Sequence, residues 1–76
     1  MRILIEPPHA IAEVQRASDE VRKALEVLEA AHIKTQGGGT IESDSIVTGV
    51  LVLRTDDDAD QAVEALARAG ITARIG

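Results

Sequence analysis

The most apolar stretch of the chain spans residues 46–55 and has hydrophobic side chains at both even and odd positions. A strand with one face in water would alternate apolar and polar side chains. Arg54 is the first charged residue of this stretch. We therefore predict a central strand that is covered, at least partly, on both sides. Its short length and β-branched residues favour a strand over a helix.

A first strand is predicted over the five residues before the Pro7-Pro8 pair. Ile3 and Ile5 lie on one face of this strand and Leu4 lies on the other, because side chains alternate along a strand. The first strand is therefore also apolar on both faces. Proline cannot donate a hydrogen bond to a neighbouring strand, so the proline pair is expected to end it.

Apolar residues at alternating spacings of three and four predict a helix over residues 10–31. The predicted seam consists of Ile11, Val14, Ser18, Val21, Leu25, Leu28 and His32. Such a helix would be roughly 33 Å long and would overhang strands of roughly 20 Å, or bend over them. Ser18 leaves two alternatives open: it caps a second, shorter helix, or one helix runs through it with a kink. The seam keeps its phase across Ser18, which favours one helix.

The next predicted strand, residues 33–42, has one polar face and contains a glycine run at 37–39. These features favour an edge strand with a bulge or a close backbone approach. Gly49 is a candidate for a second bulge opposite the run. The Ser and Asp residues at 43–45 predict a turn, because their side chains bond to nearby backbone. The turn makes a hairpin into the central strand.

An aspartate-rich segment, residues 56–60, opens a second predicted helix. Asp57 or Asp58 is expected to cap this helix, because carboxylates are favourable at its positive end. Gly70 stands where a left-handed residue commonly ends a helix. A last strand is predicted to start at Ile71.

The predicted order is strand, helix, strand, strand, helix, strand, in one domain that spans residues 1–76. With right-handed crossovers this order gives an α+β, ferredoxin-like sandwich. Its four-stranded antiparallel sheet has the order 4-1-3-2, with two helices on one face. Strands one and three are central in that sheet, and they are the strands that are apolar on both faces. Leu4 and half of the central strand then lie on the face without helices.

Composition narrows the range of partners. The 76 residues include no Cys and no aromatic residue, and the formal net charge is −5. So small a domain buries only about 60% of its unfolded surface, and we expect a homo-oligomer, most simply a dimer. Nucleic acid is not expected as a partner, because a basic surface and stacking platforms are missing. No run approaches a membrane span of roughly 20 apolar residues, and a cytoplasmic protein without a membrane partner is the default expectation.

Several segments resemble ACT domains, which are small ligand-binding regulatory modules that often attach to enzymes of amino-acid metabolism. Residues 49–53 and 58–71 are similar to the second half of this family. Residues 8–14 and 27–33 are similar to the start and the end of its first helix. The resemblance implies an allosteric module that binds a small molecule such as an amino acid and regulates a metabolic enzyme.

The turn into the first helix is the first candidate for ligand binding. It consists of Pro8, His9, Ala10 and Ile11. A helix N-terminus exposes unpaired N–H groups and a positive dipole end, which would bind a carboxylate. The alternative is a helix start that contacts only solvent.

The glycine run is the second candidate. Gly37, Gly38 and Gly39 lack the strand-to-helix context and the Lys of a phosphate-binding loop. They would form a flexible flap or a backbone wall at a ligand cleft between subunits, as the resemblance also implies. The alternative is a bulged hairpin arm without a ligand.

No catalytic, metal or cofactor site is predicted. Alternate aspartates within 56–60 have the spacing of a calcium loop, but Gln61 stands where that loop needs Gly. His9 and His32 stand at opposite ends of the first helix, so they cannot share a metal ion within one chain. The chain also lacks Cys, Tyr and Asn as catalytic groups.

The sequence therefore predicts a non-enzymatic, homo-oligomeric module that binds a small molecule and regulates a partner enzyme. The alternative is a structural or assembly domain that has no ligand and makes only protein contacts. Binding of a small molecule distinguishes the two hypotheses.

Overall fold

The computed structural model describes residues 1–76. Its five strands are β1 (Arg2–Glu6), β2 (His9–Ala10), β3 (Thr35–Ser43), β4 (Ile46–Leu53) and β5 (Thr72–Ile75). Its helices are α1 (Val14–Ala30) and α2 (Ala59–Arg68), which follow 3₁₀ turns at Ile11–Glu13 and Asp56–Asp58. The predicted α+β class is confirmed. Neither helix has the length and apolarity that crossing a membrane requires.

All five strands form one antiparallel sheet around β4. β3 pairs with one edge of β4, and β1 and β2 pair with the other edge. β5 pairs with β1 on the side away from β4. The sheet thus differs in strand count and order from the predicted four-stranded sheet of order 4-1-3-2, although the arrangement is compatible with a ferredoxin-like fold.

The additional strand, β2, lies where the pattern predicts the start of a helix. Pairing between β1 and β4 ends at Leu4, opposite Val50, and the Pro7-Pro8 pair that follows β1 has no N–H groups with which to restore it. His9 and Ala10 then pair with β4 again, opposite Val47 and Ile46. The proline pair therefore interrupts pairing along this edge but does not end it.

Helix α1 begins at Val14 because the preceding residues form β2 and a 3₁₀ turn. It continues through Ser18 without interruption, so the alternative of a second helix that restarts there is wrong. Its buried residues are Ala17, Val21, Ala24 and Leu28. Val14, a position of the predicted seam, is exposed. Ile11, the first position of the predicted seam, is also exposed, so the buried face of α1 starts at Ala17 instead.

The core lies between the sheet and the two helices. Twelve buried apolar residues form one cluster, to which both helices and β1, β4 and the segment before β3 contribute. Ile3, Leu51 and Leu66 are completely buried in it. Burial of aliphatic side chains between sheet and helices is thus the main source of stability in a chain without aromatic residues.

The face of the sheet without helices, here called the open face, carries apolar side chains. They belong to Leu4, Ile41, Ile46, Val50 and Val52. Their placement follows from the pairing register, because opposed residues of antiparallel strands share a face. Ile41 and Ile46 are 45% and 42% exposed, whereas Val50 is 6% exposed. The predicted position of Leu4 and half of β4 on the face without helices is confirmed.

Asp44 and Ser45 connect β3 to β4 in a two-residue turn. Both have positive φ angles, 52° and 68°. Two consecutive residues in this region form a type I′ turn, whose twist matches that of the flanking strands. The predicted hairpin between β3 and β4 is confirmed.

Helix α2 follows the acidic 3₁₀ turn. Asp58 occupies the N-cap position, but its side chain makes no capping hydrogen bond. The predicted side-chain cap is therefore wrong. The carboxylates of the turn still lie near the positive end of α2, which is favourable.

Candidate functional site

The glycine run of β3 allows α1 to lie close to the sheet. A Cβ atom added to Gly38 would be 2.9 Å from Cγ1 of Val21 in α1. Gly37 has a φ of 127° and lies where the register with β4 shifts, so the predicted bulge is confirmed there. No bulge forms at Gly49, which instead makes room for the other methyl group of Val21.

Two grooves follow the junction between α1 and β3. The larger one, here called the Lys34 groove, has a volume of about 450 Å³ and lies at the C-terminal end of α1. It is lined by Leu25, Glu29, His32, Ile33, Lys34, Thr35, Gly37 and Arg54. Only two of these residues are hydrophobic. Ligand pockets are usually mostly apolar, so this polar lining favours a small hydrophilic molecule.

The second groove, here called the Ser18 groove, has a volume of about 350 Å³. It is lined by Ser18, Val21, Arg22, Leu25, Gly38, Gly39 and Thr40. Leu25 lines both grooves. The two grooves therefore adjoin at Leu25, and together they are here called the depression between α1 and β3.

A third groove of about 260 Å³ lies between the end of α1 and α2. Its two charged residues, Glu64 and Arg68, form an ion pair with each other along α2. The other lining residues are Ala31, Ile33, Gln61 and Ala65. Because its charges are already paired, this groove offers a charged ligand less than the Lys34 groove does.

Lys34 and Arg54 are neighbours at the edge of the β3–β4 pair. The backbone N–H of Arg54 donates a hydrogen bond of 3.4 Å to the carbonyl of Lys34. Neither side chain forms an ion pair. The arginines that do have an acidic partner are Arg16, Arg22, Arg68 and Arg74. The Lys34 groove thus holds two unpaired positive charges.

His32 ends α1 in a left-handed conformation, with a φ of 61°. Its N–H donates to the carbonyl of Glu29 at 3.0 Å, and the N–H of Ile33 donates to the carbonyl of Leu28 at 2.9 Å. These two bonds define a Schellman motif with His32 at its left-handed position. The motif holds the imidazole at the wall of the Lys34 groove.

Helix α2 ends with the same motif. The N–H of Gly70 donates to the carbonyl of Ala67, and the N–H of Ile71 donates to the carbonyl of Leu66. Gly70 has a φ of 85°, as its predicted role requires. Glycine therefore occupies in α2 the position that His32 occupies in α1.

The structure places the predicted turn Pro8, His9, Ala10 and Ile11 on the edge of β4 opposite to β3. The N–H of Ile11 donates to the carbonyl of Ser45 at 3.0 Å, so the free N–H group expected at this residue is absent. None of the four residues lines a groove. The structure therefore does not bring this turn together with Gly37, Gly38 and Gly39.

The ring of His9 links β2 to α1, a contact that the sequence analysis did not identify. Its Nε2 atom is hydrogen-bonded to Glu20, and its Nδ1 atom is 3.5 Å from Oε2 of Glu13. The side chain of His9 is 17% exposed. No group of three or more His, Cys, Asp or Glu side chains is placed so that it could hold a metal ion.

Comparisons of the chain with family models, with curated proteins and with solved structures found no match. Function is therefore inferred from the depression between α1 and β3. Its two grooves combine unpaired cations, one carboxylate and three hydroxyl groups. These groups can bind a small charged molecule through charge-assisted hydrogen bonds.

Proposed function

We propose that the chain is a non-enzymatic, homo-oligomeric regulatory module of the ACT type, with a ferredoxin-like fold. Its small-molecule ligand would bind in the depression between α1 and β3. One observation carries the proposal: Gly37, Gly38 and Gly39, which were predicted as ligand contacts, all line this depression. Counting the short strand β2 as a continuation of β1 would give the four-stranded ferredoxin-like order, and the pairing of both strands with one edge of β4 supports this.

The groups in the depression suit an amino acid. Lys34 would bind the α-carboxylate and Glu29 the α-ammonium group, both in the Lys34 groove, and Arg22 would contact the other end of the ligand from the Ser18 groove. Ser18 and Thr40 offer hydroxyl groups to a polar ligand side chain. This distribution of opposite charges along one groove supports a zwitterionic ligand.

The open face supports the homo-oligomer. Ile41 and Ile46 expose large apolar side chains there, and a second copy would remove them from water. A ligand that binds more tightly to one assembly than to another shifts the population toward the first. The ligand would regulate a partner enzyme through that shift.

The proposal is tested by thermal unfolding of the full chain with each proteinogenic amino acid. Because the chain has no aromatic residue, helical circular dichroism is the signal. A ligand at a hundredfold excess over its Kd should stabilise the fold by about 2.7 kcal/mol. The proposal fails if no amino acid and no other small metabolite raises the unfolding temperature.

Two matched variants locate the site. Arg22→Gln should weaken amino-acid binding about tenfold, because it removes one charged donor from the depression. Arg16→Gln removes an α1 arginine that lines no groove and should leave binding unchanged. His9→Gly tests the other predicted position. A loss of binding in His9→Gly alone would place the ligand at the turn after β1.

The second candidate function is an assembly domain without a ligand. The exposed apolar side chains of the open face favour it as well, because they need only a protein partner. Under this hypothesis the chain forms oligomers in solution, and none of the small molecules changes its unfolding temperature.

A further inference from the structure

We propose that the Lys34 groove binds the phosphate group of a small phosphorylated metabolite, with His32, Lys34 and Arg54 as the phosphate ligands. This inference rests on the proposed function, in which the depression between α1 and β3 is the ligand site. The inferred ligand is a phosphorylated metabolite rather than an amino acid, and it binds at one end of that depression, in the Lys34 groove.

The first argument is the placement of charge. Lys34 directly precedes β3 and Arg54 directly follows β4, and the backbone hydrogen bond between them places them opposite each other at the end of the strand pair. Like charges at opposed positions on neighbouring strands destabilise a sheet. No acidic side chain forms an ion pair with either of them, although the chain has a formal net charge of −5. A bound anion would remove this repulsion.

The second argument is the identity of His32. A left-handed conformation is unfavourable for residues with a Cβ atom. The equivalent position at the end of α2 is Gly70, which avoids this cost. A residue that adopts an unfavourable backbone conformation suggests a functional role where it lines a candidate site. The imidazole of His32 lies in the wall of the Lys34 groove, where its ring N–H groups can donate to phosphate oxygens.

The third argument is the chemistry of the remaining wall. The Arg54 guanidinium and the Lys34 ammonium match a phosphate dianion in charge, and arginine can bind two of its oxygens at once. Thr35 adds a hydroxyl group. Glu29 lies in the same groove and would repel a second anionic group but accept hydrogen bonds from ligand hydroxyls. A molecule with one phosphate and several hydroxyl groups, such as a sugar phosphate, meets all these conditions.

The C-terminus of α1 is the negative end of the helix dipole, but it opposes phosphate binding in the Lys34 groove only weakly. The carbonyls of Val27, Leu28 and Glu29 accept hydrogen bonds from the three residues that follow the helix. Their partial charges are therefore partly satisfied. The groove retains the positive charges of Lys34 and Arg54 on its strand side.

The test is a nuclear magnetic resonance titration of the full chain, labelled with ¹⁵N, at constant ionic strength. The probes are inorganic phosphate and ribose 5-phosphate, and unphosphorylated ribose is the control ligand. Both phosphates should shift the amide signals of His32, Lys34, Thr35 and Arg54, and ribose should shift none of them. Amide shifts confined to other regions, or equal shifts with ribose, would overturn the proposal.

Two double variants that lose the same charge distinguish a specific phosphate site from general electrostatic attraction of the anion. Lys34→Gln with Arg54→Gln should raise the Kd for phosphate about tenfold or more, because two charged donors are lost. Arg16→Gln with Lys23→Gln removes two α1 cations outside the grooves and should change the Kd less than about twofold. Equal losses in the two variants would overturn the proposal. Circular dichroism verifies that both variants are folded.

His32→Gly separates the role of the imidazole from its effect on folding. This variant should unfold at a higher temperature and yet bind ribose 5-phosphate several-fold more weakly. Unchanged phosphate affinity in His32→Gly would overturn the role of His32. If phosphates fail but an amino acid binds, the present inference falls and the proposed function stands. If no small molecule binds, both fall.

Discussion

At the scale of single residues, His32 and Gly70 show how one motif can accept two very different side chains. Both occupy the left-handed position of a Schellman motif at a helix end. Glycine has no Cβ atom and adopts this conformation readily, whereas histidine does so at a cost. The fold therefore tolerates His32, but the helix end does not require it.

We expect His32→Gly to raise the free energy of unfolding by about 0.5–1 kcal/mol. The change relieves the left-handed cost, and the greater freedom of glycine in the unfolded chain offsets part of this gain. Gly70→Ala is the matched control and should lower stability by about 1 kcal/mol. Urea unfolding followed by circular dichroism measures both. A destabilised His32→Gly variant would contradict this account of the helix end.

Gly38 and Gly39 are neighbours in sequence with different surroundings. A Cβ atom at Gly38 would lie 2.8 Å from the carbonyl oxygen of Val50, whereas one at Gly39 would meet nothing within 4 Å. We therefore expect Gly38→Ala to destabilise the fold by about 1–3 kcal/mol, as overpacking does. Gly39→Ala should change stability by less than about 0.5 kcal/mol. Similar unfolding temperatures for the two variants would mean that α1 is not held against β3 as described.

At the scale of elements, the hairpin between β3 and β4 contributes the longest pairing in the sheet. Its eight paired positions run from Thr35 to Ser43, opposite all of β4. The turn residues, Asp44 and Ser45, both have left-handed conformations. The turn thus sets the register of the strand on which the Lys34 and Ser18 grooves are built.

Replacing this turn with Asn-Gly, by Asp44→Asn together with Ser45→Gly, should stabilise the protein by about 1 kcal/mol. Asparagine and glycine are the residues that type I′ turns prefer. Thermal unfolding measured by circular dichroism gives the change. The double variant should also retain the ligand affinity of the original chain, since the turn lies outside all three grooves. A lower unfolding temperature would indicate a different turn type.

The strong periodic patterns predicted the helices and the long strands. The residues at which these elements begin and end were predicted less well. The apolar stretch of β4, the seam of α1 and Gly70 at the end of α2 all follow from side-chain patterns that long-range packing does not change. β2 was missed because His9 and Ala10 have no strand pattern. Their pairing depends on where the chain goes after the prolines.

The candidate site was predicted in part for a similar reason. Glycines in a strand indicate a close approach, and the run at 37–39 does line the grooves. Lys34 and Arg54 lie 20 positions apart in the sequence, and only strand pairing makes them neighbours. The segment Ala31-His32-Ile33 repeats the Ala69-Gly70-Ile71 pattern with His in place of Gly, and this repeat indicates the end of α1 at His32.

At the scale of the whole molecule, the sheet has one protected face, which the two helices cover, and one open face. All twelve residues of the core cluster belong to the protected side or to the helices that cover it. The open face keeps Ile41 and Ile46 in contact with water in a single chain. Association of two copies through the open face would bury this apolar area and is the simplest way to stabilise so small a domain.

We expect Ile41→Lys combined with Ile46→Lys to convert an oligomer into a folded monomer. Charged side chains at the centre of an interface oppose association but are tolerated at positions that are exposed in one chain. Val14→Lys, at an exposed apolar position on α1, is the control and should leave the assembly unchanged. Sedimentation velocity at micromolar concentration measures the assembly. A wild-type chain that sediments as a stable monomer would contradict the prediction.

Val21 links two strands through the space that its methyl groups occupy. One methyl lies against Gly38 and the other against Gly49, each 2.9 Å from where an added Cβ atom would be. The order in which mutations can accumulate is therefore constrained. Alanine should become acceptable at Gly49 only after Val21 has become smaller, so related sequences are expected to change these two positions together, whereas the carbonyl oxygen of Val50 still opposes a Cβ atom at Gly38.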